Sequence, residues 1–509
     1  MSQHAFYVTT PIYYISGNPH IGHAYTTIAA DVLARTARAQ GPAFMLTGTD
    51  EHGQKVANAA AAAGKTPLEW CDELVPKWKA ISSTYGVHYD DFIRTTEPRH
   101  VEACQKVFEK LKASGDAYLG KYEGWYCTND ETFWPQAKLI EGRCPNPECR
   151  RPVEWLSEDN WFFRLSAYRE RLIAFYKERP EWLRPQAVYN EMMAVLEGGL
   201  DDLSISRETF DWGVPLGDGR VMYVWLDALL NYITALGWAS DAPKFQTYWP
   251  ADVQLVGKDI ARFHTIIWPA VLWALGLPAP DRVYAHGWLT VEGEKMSKSK
   301  GNVVDPFELA AAFGPDTVRF FLLREAHFGS DFSMSEEKIR QRHNNDLGND
   351  LGNLLNRTLA MLKRYRAGRV PEYKRSSYAE RYGDLPEKAR KLIMALQFRD
   401  ALEAIWELVS ALNREIDDQK PWDLNKQGNN AELDALLYDL CEGLRWIALM
   451  TFPFMPQKAQ EIWDQLGLRE TPSRPWKEAL VWGTFPPGTL TAPGPVLFAR
   501  IDENLEAPA

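Results

Sequence analysis

The spacing of apolar residues predicts an alternation of strands and helices over the first 110 residues. Short apolar runs at residues 5–10 and 44–50 are typical of buried strands, and we expect the second run to end in a turn that carries Gly48. The apolar positions of residues 24–40 recur with the period of a helix. The same helical spacing is found at residues 67–85 and 100–113. Strands that alternate with helices in this way favour a parallel sheet.

The pattern changes twice further along the chain. Residues 116–220 begin with short aromatic segments bounded by turn residues, which predicts an inserted β-rich module. Strand-like runs return at residues 221–225, 253–257 and 282–286, so we expect a Rossmann-type parallel sheet that the insertion splits into two halves. Helical spacing then continues from residue 335 to 466, which predicts a bundle of at least four helices.

Length and composition define the broad class of protein. The chain has 509 residues, of which 45% are hydrophobic and 25% are charged, as is typical of a globular protein with several domains. The sequence contains neither a long apolar run nor a basic N-terminal segment followed by an apolar core, so we expect no transmembrane helix and no signal peptide. Six cysteines are too few for a disulfide scaffold, which favours a cytoplasmic location. The net charge of −11 argues against nucleic-acid binding by the whole surface but leaves room for local basic patches.

The first candidate site follows the first predicted strand. His20, Gly22 and His23 stand where that strand passes into a helix N-terminus, which carries about half a positive charge and suits a phosphate. The two imidazoles add donors, and Gly22 lets a flat ring approach the backbone because it has no Cβ. We expect Gly41 to end this helix as its C-cap. Taken alone, the His-x-Gly-His pattern is equally compatible with a turn that carries two surface histidines.

The second candidate site is a cationic loop. Lys295, Lys298 and Ser299 belong to the sequence Lys-Met-Ser-Lys-Ser, which Gly293 and Gly301 flank. Such a loop can fold over a polyphosphate and neutralise the charge that develops on a leaving group. Taken alone, it is more simply explained as a surface loop. The combination of this loop with the histidine motif on one split sheet would rarely arise by chance.

These two motifs resemble the signature motifs of class I aminoacyl-tRNA synthetases. Three further stretches are similar to the bacterial methionyl-tRNA synthetase family: Thr-Gly-Thr-Asp-Glu-His-Gly at residues 47–53, Val-Trp-Leu-Asp-Ala at residues 224–228 together with Tyr232, and Gly-Lys-Asp-Ile-Ala-Arg-Phe-His at residues 257–264. The resemblance covers nearly the whole chain. It implies that methionine and ATP form methionyl-adenylate and pyrophosphate, and that the methionyl group then passes to the 3′-terminal adenosine of tRNA(Met), including the initiator tRNA.

The resemblance also implies how ATP is held. It assigns seven residues to ATP binding and catalysis: His20, Gly22, His23, Asp259, Lys295, Lys298 and Ser299. The two histidines would hold the triphosphate and stabilise the pentavalent α-phosphate, while Gly22 would face the adenine. The loop lysines would grip the β- and γ-phosphates, Asp259 would bind the ribose hydroxyls, and Mg²⁺ should accompany ATP. Catalysis would then consist of positioning and charge stabilisation, without a covalent enzyme intermediate.

By the same resemblance, nine residues would bind methionine: Pro11, Ile12, Tyr14, Asp50, Trp225, Ala228, Leu229, Tyr232 and His264. Asp50 would pair with the substrate ammonium, although its position alone is also compatible with an Asx-turn. Trp225 and Tyr232 suit a thioether because sulfur packs well against aromatic rings, whereas core packing is the default role of any single aromatic residue. Because one methylene changes binding by only about 1–3 kcal/mol, we expect homocysteine and norleucine to be the hardest competitors. The insertion is too short for a separate post-transfer editing domain.

The insertion contains an altered zinc knuckle. Family members often carry two Cys-x2-Cys pairs, or a Cys-x2-Cys and a Cys-x2-His pair, whereas this chain has Cys127 and Asp130 followed by Cys144 and Cys149. Three thiolates and a carboxylate can hold Zn²⁺ tetrahedrally. However, Asp130 replaces a soft ligand and the second pair is more widely spaced. Two alternatives therefore stay open, a Zn²⁺ site and a knuckle-shaped loop held by packing alone.

The helical region contains the candidate tRNA-reading residues. Asn349, Asn353 and Arg357 have the spacing i, i+4, i+8 and are predicted on one face of a single helix, where they can hydrogen-bond splayed bases. Trp422 would supply an aromatic platform for stacking. The resemblance matches both features to the reader of the anticodon. The local alternative for Trp422 is a buried residue at a capped helix end.

We therefore predict an α/β protein with a Rossmann-type parallel sheet split by a β-rich connective insertion, followed by an α-helical anticodon-binding bundle. The predicted segments are the first half of the catalytic domain at residues 1–115, the insertion at 116–220, the second half at 221–287, the loop and stem-contact segment at 288–345, and the anticodon-binding domain with its C-terminal tail at 346–509.

The expected partners are tRNA(Met), L-methionine and ATP, with no membrane. Longer relatives of the family dimerise through an additional C-terminal β-barrel, and since none follows in this sequence we expect a monomer in the cytoplasm. Two rival functions stay open: another class I synthetase, cysteinyl or leucyl, and a non-catalytic tRNA-binding paralogue that keeps the bundle.

Overall fold

The chain divides into two compact units. The computed structural model describes residues 4–130, 132–146, 149–208, 210–291, 293–296, 302–372 and 376–502. The first unit comprises Met1–Pro19, Phe44–Ala80 and Tyr89–His286, and the second comprises His20–Ala43, Ile81–His88 and Gly287–Ala509. Each unit is therefore assembled from segments that are distant in sequence. In the described part of the chain, no helix is long and apolar enough to cross a membrane.

The described strands range from two to eleven residues in length and are distributed over both units. In chain order they are Phe6–Thr9, Tyr13–Tyr14, Ala43–Asp50, Asp91–Arg94, Ala117–Cys127, Thr132–Trp134, Glu154–Phe163, Leu183–Arg184, Leu203–Ser204, Ser206–Arg207, Val221–Met222, Val253–Gly257, Val283–His286, Leu289–Val291, Glu294–Lys295 and Phe332–Met334.

Helices make up most of the remaining described structure. The α-helices are Ile21–Arg38, Gln54–Ala62, Pro67–Tyr85, Pro98–Ser114, Arg169–Glu178, Gln186–Glu197, Val224–Thr234, Ala242–Tyr248, Trp268–Ala274, Pro306–Phe313, Pro315–Arg324, Glu336–Arg342, Asn353–Arg366, Ser377–Tyr382, Leu385–Met394, Phe398–Gln419, Pro421–Gln427, Asn430–Thr451, Pro456–Gln465 and Trp476–Ala479. Short 3₁₀ turns span Gln136–Lys138, Leu165–Tyr168 and Lys258–Ile260, and π-helical segments span Phe263–Ile267 and His343–Gly352.

A seven-stranded sheet forms the centre of the first unit. Its order is Tyr13–Tyr14, Ala43–Asp50, Phe6–Thr9, Val253–Gly257, Val283–His286 and Leu183–Arg184, with Asp91–Arg94 also paired to Ala43–Asp50. Val8 pairs in parallel with Val253, so the two predicted halves of the sheet meet across the insertion. Both residues are buried, as expected for strands that helices cover on both faces. The predicted fold class, a split parallel sheet followed by a helical region, is confirmed.

The predicted insertion contains a second, antiparallel sheet. Its order is Thr132–Trp134, Ala117–Cys127, Glu154–Phe163 and Leu203–Ser204. Trp125 lies opposite Trp134 on one side and Trp155 on the other, so aromatic residues are aligned across three strands. Further along the same stretch of sequence, Leu183–Arg184 pairs in parallel with Val283–His286 and belongs to the central sheet instead.

Two local predictions in the first unit are wrong. The run at residues 221–225 is not a strand of the central sheet, because only Val221–Met222 is extended and it pairs with Ser206–Arg207 in a separate two-stranded sheet. The apolar residues after Tyr223 recur at helical spacing and form a helix. Gly48, expected in a turn, lies inside a strand, where a Cβ would approach the carbonyl oxygen of Ile93 to 2.0 Å. Only glycine fits at this position, because the backbone of the neighbouring strand lies too close for a Cβ.

The second unit begins with the helix Ile21–Arg38. It ends at Arg38 with Ala39 in the right-handed region as its C-cap, and the amides of Gln40 and Gly41 both donate to the carbonyl of Ala37. The prediction that Gly41 caps this helix is therefore wrong, because the chain leaves the helix without a left-handed residue. Arg35 and Arg38 stand in the last turn, where a cation is favourable.

Helices dominate the second unit after residue 335, as predicted. Leu354, Leu355 and Leu359 are buried on the helix Asn353–Arg366 and form part of the bundle core. The segment just before this helix is a π-helix of ten residues, His343–Gly352. Such segments are rare and occur frequently at functional sites.

Candidate active site

Four of the predicted methionine-binding residues lie on one face of the helix Val224–Thr234. Trp225, Ala228, Leu229 and Tyr232 have the spacing i, i+3, i+4, i+7 that places side chains on one stripe. Trp225 is half-buried, whereas Ala228, Leu229 and Tyr232 are buried. The helix therefore presents an aromatic and aliphatic wall of the kind that suits an apolar side chain.

A hydrogen bond joins Tyr232 to His264. The distance between Tyr232 Oη and His264 Nε2 is 2.7 Å, and His264 Nδ1 lies 3.0 Å from the carbonyl oxygen of Ile260. A carbonyl oxygen can only accept, so Nδ1 carries the proton and the Tyr232 hydroxyl donates to Nε2. Burial lowers the pKa of His264 to about 4, which keeps the imidazole neutral at neutral pH. The pair is thus a fixed, uncharged polar group.

Phe263 is a site residue that the sequence prediction did not assign. Its ring stacks on Trp225 with 3.8 Å between the centroids and 8° between the planes. Phe263 and His264 both belong to the π-helical segment Phe263–Ile267, whose wider turn aims two consecutive aromatic rings at the helix Val224–Thr234. The motif at residues 257–264 could have indicated Phe263, because this aromatic residue directly precedes His264 within it.

The remaining predicted methionine residues come from the ends of two adjacent strands. Tyr14 is in parallel register with Asp50, and the amide of Ile15 donates to the carbonyl oxygen of Asp50 at 3.0 Å. Asp50 is the last residue of its strand and is 6% exposed. Pro11 is buried, and Ile12 is half-buried against the hydrophobic core of this unit. All nine predicted methionine residues therefore lie in the first unit.

Asp259, the predicted ribose ligand, is exposed in the 3₁₀ turn after the strand Val253–Gly257. Its carboxylate folds back over Gly257, where a Cβ would stand 2.5 Å from Asp259 Oδ1. Glycine at this position is therefore required for the observed place of the carboxylate. The strand end and the turn together present an acceptor group at the carboxyl edge of the sheet, the usual edge for ligands in such folds.

His20 and His23 cap the helix Ile21–Arg38 reciprocally. His20 Nδ1 accepts from the amide of Gly22 at 3.1 Å, and the amide of His20 donates to His23 Nδ1 at 3.0 Å. The centroids of the two imidazole rings lie 3.7 Å apart. Since each Nδ1 accepts from a backbone N–H, the neutral rings carry their protons on Nε2. Gly22 is needed for this arrangement, because a Cβ there would come within 2.9 Å of the His20 ring.

The cationic loop is described only at its beginning. Lys298 and Ser299 lie outside the described residues, and of Lys295 only the backbone is described. That backbone belongs to the strand Glu294–Lys295, which pairs antiparallel with Leu289–Val291. The roles predicted for these three residues therefore stay predictions.

The four predicted metal ligands come together in the first unit. Their ligand atoms, from Cys127, Asp130, Cys144 and Cys149, all lie within 4.8 Å of one another. Cys127 Sγ is 3.4 Å from Cys149 Sγ, and the Cys144 thiol donates to Asp130 Oδ2 at 2.9 Å. Burial raises the pKa of the Cys127 and Cys144 thiols above the usual value. Three sulfurs and one carboxylate oxygen that converge in this way are a donor set that can hold a tetrahedral Zn²⁺.

The predicted anticodon residues lie in the second unit. Asn349 and Asn353 are exposed, Trp422 is 47% exposed, and Arg357 pairs with Asp417 at 2.6 Å. Asn349 lies in the π-helix His343–Gly352, which runs directly into the α-helix that carries Asn353 and Arg357. The alternative of a buried Trp422 is wrong. Its exposed ring leaves a surface on which a base can stack.

A buried polar row beside the methionine residues was not foreseen. Asp227 accepts hydrogen bonds from His52 and His100, and neither Asp227 nor His100 has exposed surface. Asp227 and His52 stand within motifs that the family resemblance used, but nothing in the local sequence of His100 distinguishes it from a surface residue of a helix.

The two-part parallel sheet, the reciprocally capped histidine turn and the helical C-terminal region define a class I tRNA synthetase. The family model of tRNA synthetases class I (M) matches residues 6–359 of the chain.

The chain is similar over almost its full length to methionine–tRNA ligases. It is 50% identical to that of Caldanaerobacter subterraneus subsp. tengcongensis and 47% identical to that of Thermotoga maritima, covering in both cases 98% of this chain and 80% of the relative. The structure of Mycobacterium tuberculosis methionyl-tRNA synthetase in complex with methionyl-adenylate has a TM-score of 0.92 and 42% identity, covering 98% of this chain and all of that chain. The chain belongs to the methionine–tRNA ligase family.

Proposed function

We propose that the chain activates L-methionine with ATP and charges tRNA(Met), including the initiator tRNA. A methionine carboxylate oxygen attacks the α-phosphorus of ATP, and the bond to the β-phosphate breaks to release pyrophosphate. The ribose hydroxyl of the 3′-terminal adenosine then attacks the carbonyl carbon of methionyl-adenylate, and AMP leaves. The observation that carries the proposal is the wall of Trp225 and Tyr232 with neutral His264 hydrogen-bonded to it.

Methionine is recognised by aromatic packing and one charge pair in this proposal. The thioether sulfur packs against Trp225 and Tyr232, since sulfur–aromatic contacts contribute about 0.3–1.5 kcal/mol. A neutral His264 avoids a buried charge beside an apolar substrate. Asp50 accepts from the substrate ammonium, while Pro11, Ile12, Tyr14, Ala228 and Leu229 contribute shape.

ATP is held by groups that carry positive charge or donate hydrogen bonds. The Nε2–H groups of His20 and His23 donate to the phosphates, a role supported by the backbone bonds that fix the tautomer of both rings. Lys298, with Lys295 and Ser299, neutralises the charge that develops on pyrophosphate. Asp259 binds the ribose, Gly22 lies under the adenine, and Mg²⁺ enters with ATP as part of the substrate.

The cluster of Cys127, Asp130, Cys144 and Cys149 holds one structural Zn²⁺ in this proposal. Four protein ligands close the coordination shell, so the ion stabilises the fold of the insertion and leaves no open position for catalysis. The converging ligand atoms support this choice over a loop held by packing alone.

tRNA recognition falls to the helical region. Asn349, Asn353 and Arg357 hydrogen-bond the anticodon bases, and Trp422 stacks against one of them. The exposure of the two asparagines and of Trp422 supports this role.

The five segments predicted from the sequence serve as the domains of the enzyme in this proposal. The enzyme acts in the cytoplasm as a monomer.

ATP–pyrophosphate exchange measured with each amino acid in turn tests the proposal. We expect exchange with methionine and not with cysteine or leucine. Exchange with cysteine or leucine instead would refute the assignment in favour of another class I synthetase, and an absence of exchange with any amino acid would favour a non-catalytic paralogue. Lys298→Ala should lower adenylate formation far more than methionine binding, and an equal loss in both would contradict its assigned role.

A further inference from the structure

His52, Asp227 and His100 form a buried hydrogen-bonded row. His52 Nδ1 lies 2.6 Å from one carboxylate oxygen of Asp227, and His100 Nε2 lies 2.6 Å from the other. Burial alone would raise the pKa of Asp227, but the facing imidazoles lower it to about 2, so the group is ionised at neutral pH. An ionised carboxylate only accepts hydrogen bonds, so both facing ring nitrogens carry protons.

The row holds the side of the helix Val224–Thr234 that faces away from the proposed methionine wall. Successive residues of an α-helix are turned by about 100°, which puts Asp227 and Thr234 roughly opposite the stripe of Trp225 and Tyr232. His100 contacts both polar residues, because its Nδ1 also lies 2.7 Å from Thr234 Oγ1. One imidazole therefore fixes the rotation of the helix over two turns.

The other end of the row holds the backbone that carries Asp50. His52 follows Asp50 by two residues, so its bond to Asp227 ties the strand end directly to the helix. Glu51, between them, is fixed independently: its carboxylate accepts from Arg94 at 2.7 Å and from Thr96 at 2.6 Å. The side chains of the two residues that follow Asp50, Glu51 and His52, are thus both fixed by hydrogen bonds.

The aromatic residue Trp212 anchors the same segment from a third direction. Its indole N–H donates to the carbonyl oxygen of Glu51 at 2.6 Å, and its own carbonyl accepts from the amide of Gly53 at 3.0 Å. The ring also meets His52 edge to face, with 5.4 Å between the centroids. The segment after Asp50 is therefore held by side chains from several elements, and His52 links it to the helix Val224–Thr234.

A metal ion does not account for this cluster. The ligand atoms of His100, Cys104 and Asp227 lie within 4.8 Å of one another. However, the nitrogen and oxygen atoms of His100 and Asp227 are 2.6 Å apart, whereas two ligands of a tetrahedral Zn²⁺ stand about 3.3 Å apart. The distance is that of a charge-assisted hydrogen bond.

We propose that Asp227 is a positioning residue for methionine, which acts through His52 to set the place of the Asp50 carboxylate relative to the helix Val224–Thr234. It touches no substrate atom itself. Replacing a complete buried ionic network by apolar residues of similar volume often leaves a core equally stable, so stability alone does not account for the choice of this carboxylate. The inference rests on the proposed methionine pocket and names the group that holds its two walls in register.

The test compares Asp227→Asn and His52→Gln in ATP–pyrophosphate exchange, with methionine and ATP varied separately. If Asp227 positions the ammonium ligand, binding is lost equally in ground and transition states, so the KM for methionine should rise by about tenfold while the KM for ATP and kcat change by less than about twofold. Asp202→Asn is the matched control, since Asp202 also accepts from two side chains, Ser166 and Tyr118, but far along the chain in the insertion. It should leave every constant within about twofold.

A double-mutant cycle separates positioning from a general loss of packing. Because Asp227 acts through His52, the double variant should raise the KM for methionine no more than either single variant does. Additive effects, or a lowered melting temperature with an unchanged KM for methionine, would overturn the inference. Should Asp227→Asn fail to fold, His52→Gln alone decides, because it leaves the Asp227–His100 pair in place. A wild-type enzyme without methionine-dependent exchange would refute the proposed function instead.

Discussion

Arg319 donates a hydrogen bond to Asp31 at 2.7 Å, and neither side chain has exposed surface. Three further guanidinium N–H groups donate to the carbonyl oxygens of Tyr85, Pro453 and Phe454 at 2.6–3.1 Å. Within the second unit, this one side chain therefore joins the helix that begins at the histidine turn to three other segments. Despite its burial, Asp31 keeps a pKa below the usual value, because Arg319 and Arg35 face it.

Arg319→Met should strongly destabilise the protein. The substitution removes a charge that lies against a buried carboxylate and several carbonyl groups, and breaking a buried pair costs about 3–5 kcal/mol. Urea denaturation should report a loss of that size in the free energy of unfolding. Arg390→Met is the matched control, because Arg390 pairs with Glu387 on an exposed helix face and such pairs contribute about 1 kcal/mol or less. Equal losses in both variants would contradict the importance of burial.

Gly22→Ala should impair adenylate formation. The new Cβ would meet the His20 ring at 2.9 Å and displace it from the cap of the helix. A misplacement of this kind should lower ATP–pyrophosphate exchange by about 10- to 100-fold. Gly41→Ala is the matched control, since a Cβ there meets nothing within 4 Å. Unchanged exchange in Gly22→Ala would show that the position of His20 is not critical.

His264 should make stability depend on pH. Burial lowers its pKa from 6.5 in the unfolded chain to about 4 in the folded protein, so between these values only the unfolded state binds the proton. Stability should therefore be complete above about pH 6.5 and fall as the pH approaches 4, by up to about 3 kcal/mol from this residue. Urea unfolding at pH 7, 6 and 5 should show a shallower decline for His264→Gln than for the wild type. An equally steep decline in both would mean that His264 is not the group responsible.

Purified protein should contain about one Zn²⁺ per chain, because the four ligand atoms in the insertion suit a closed tetrahedral site. Cys149→Ser should lower the zinc content measured by elemental analysis, whereas Cys441→Ser, in a buried helix elsewhere, should not. Asp130→Cys restores a soft ligand and should slow the loss of zinc to a chelator. Wild-type protein without zinc after refolding in excess Zn²⁺ would favour a loop held by packing alone.

Trp422→Ala should weaken tRNA charging without affecting methionine activation. Loss of one stacked base costs about 1–3 kcal/mol, so kcat/KM for tRNA should fall by about 5- to 150-fold while ATP–pyrophosphate exchange stays constant. Val481→Ala serves as the control, because Val481 is similarly exposed in the same unit. A parallel loss of exchange would refute a role confined to tRNA.

Several elements of the fold and site could be predicted because their signals are local. The strand runs at residues 5–10, 44–50 and 253–257 all appear in the central sheet, since continuous apolar residues bounded by turn residues are typical of buried strands. Asp130 could likewise be singled out from its place in the knuckle pattern, and it does converge with the three cysteines. In contrast, the predicted end of the helix Ile21–Arg38 was wrong. The chain leaves this helix at Ala39, whose backbone is right-handed, and not through a left-handed glycine.

The sequence by itself determined the alternating elements, the family motifs and the chemistry of the groups that could meet ATP and methionine. These properties depend on residue type and on spacings of a few positions, which the chain carries whatever its final packing. Only the tertiary structure decided that His52 and His100, 175 and 127 residues away from Asp227, share its carboxylate. It also decided that Phe263 stacks on Trp225. Such contacts arise where separate elements pack together, and no local period of the sequence encodes which surfaces will meet.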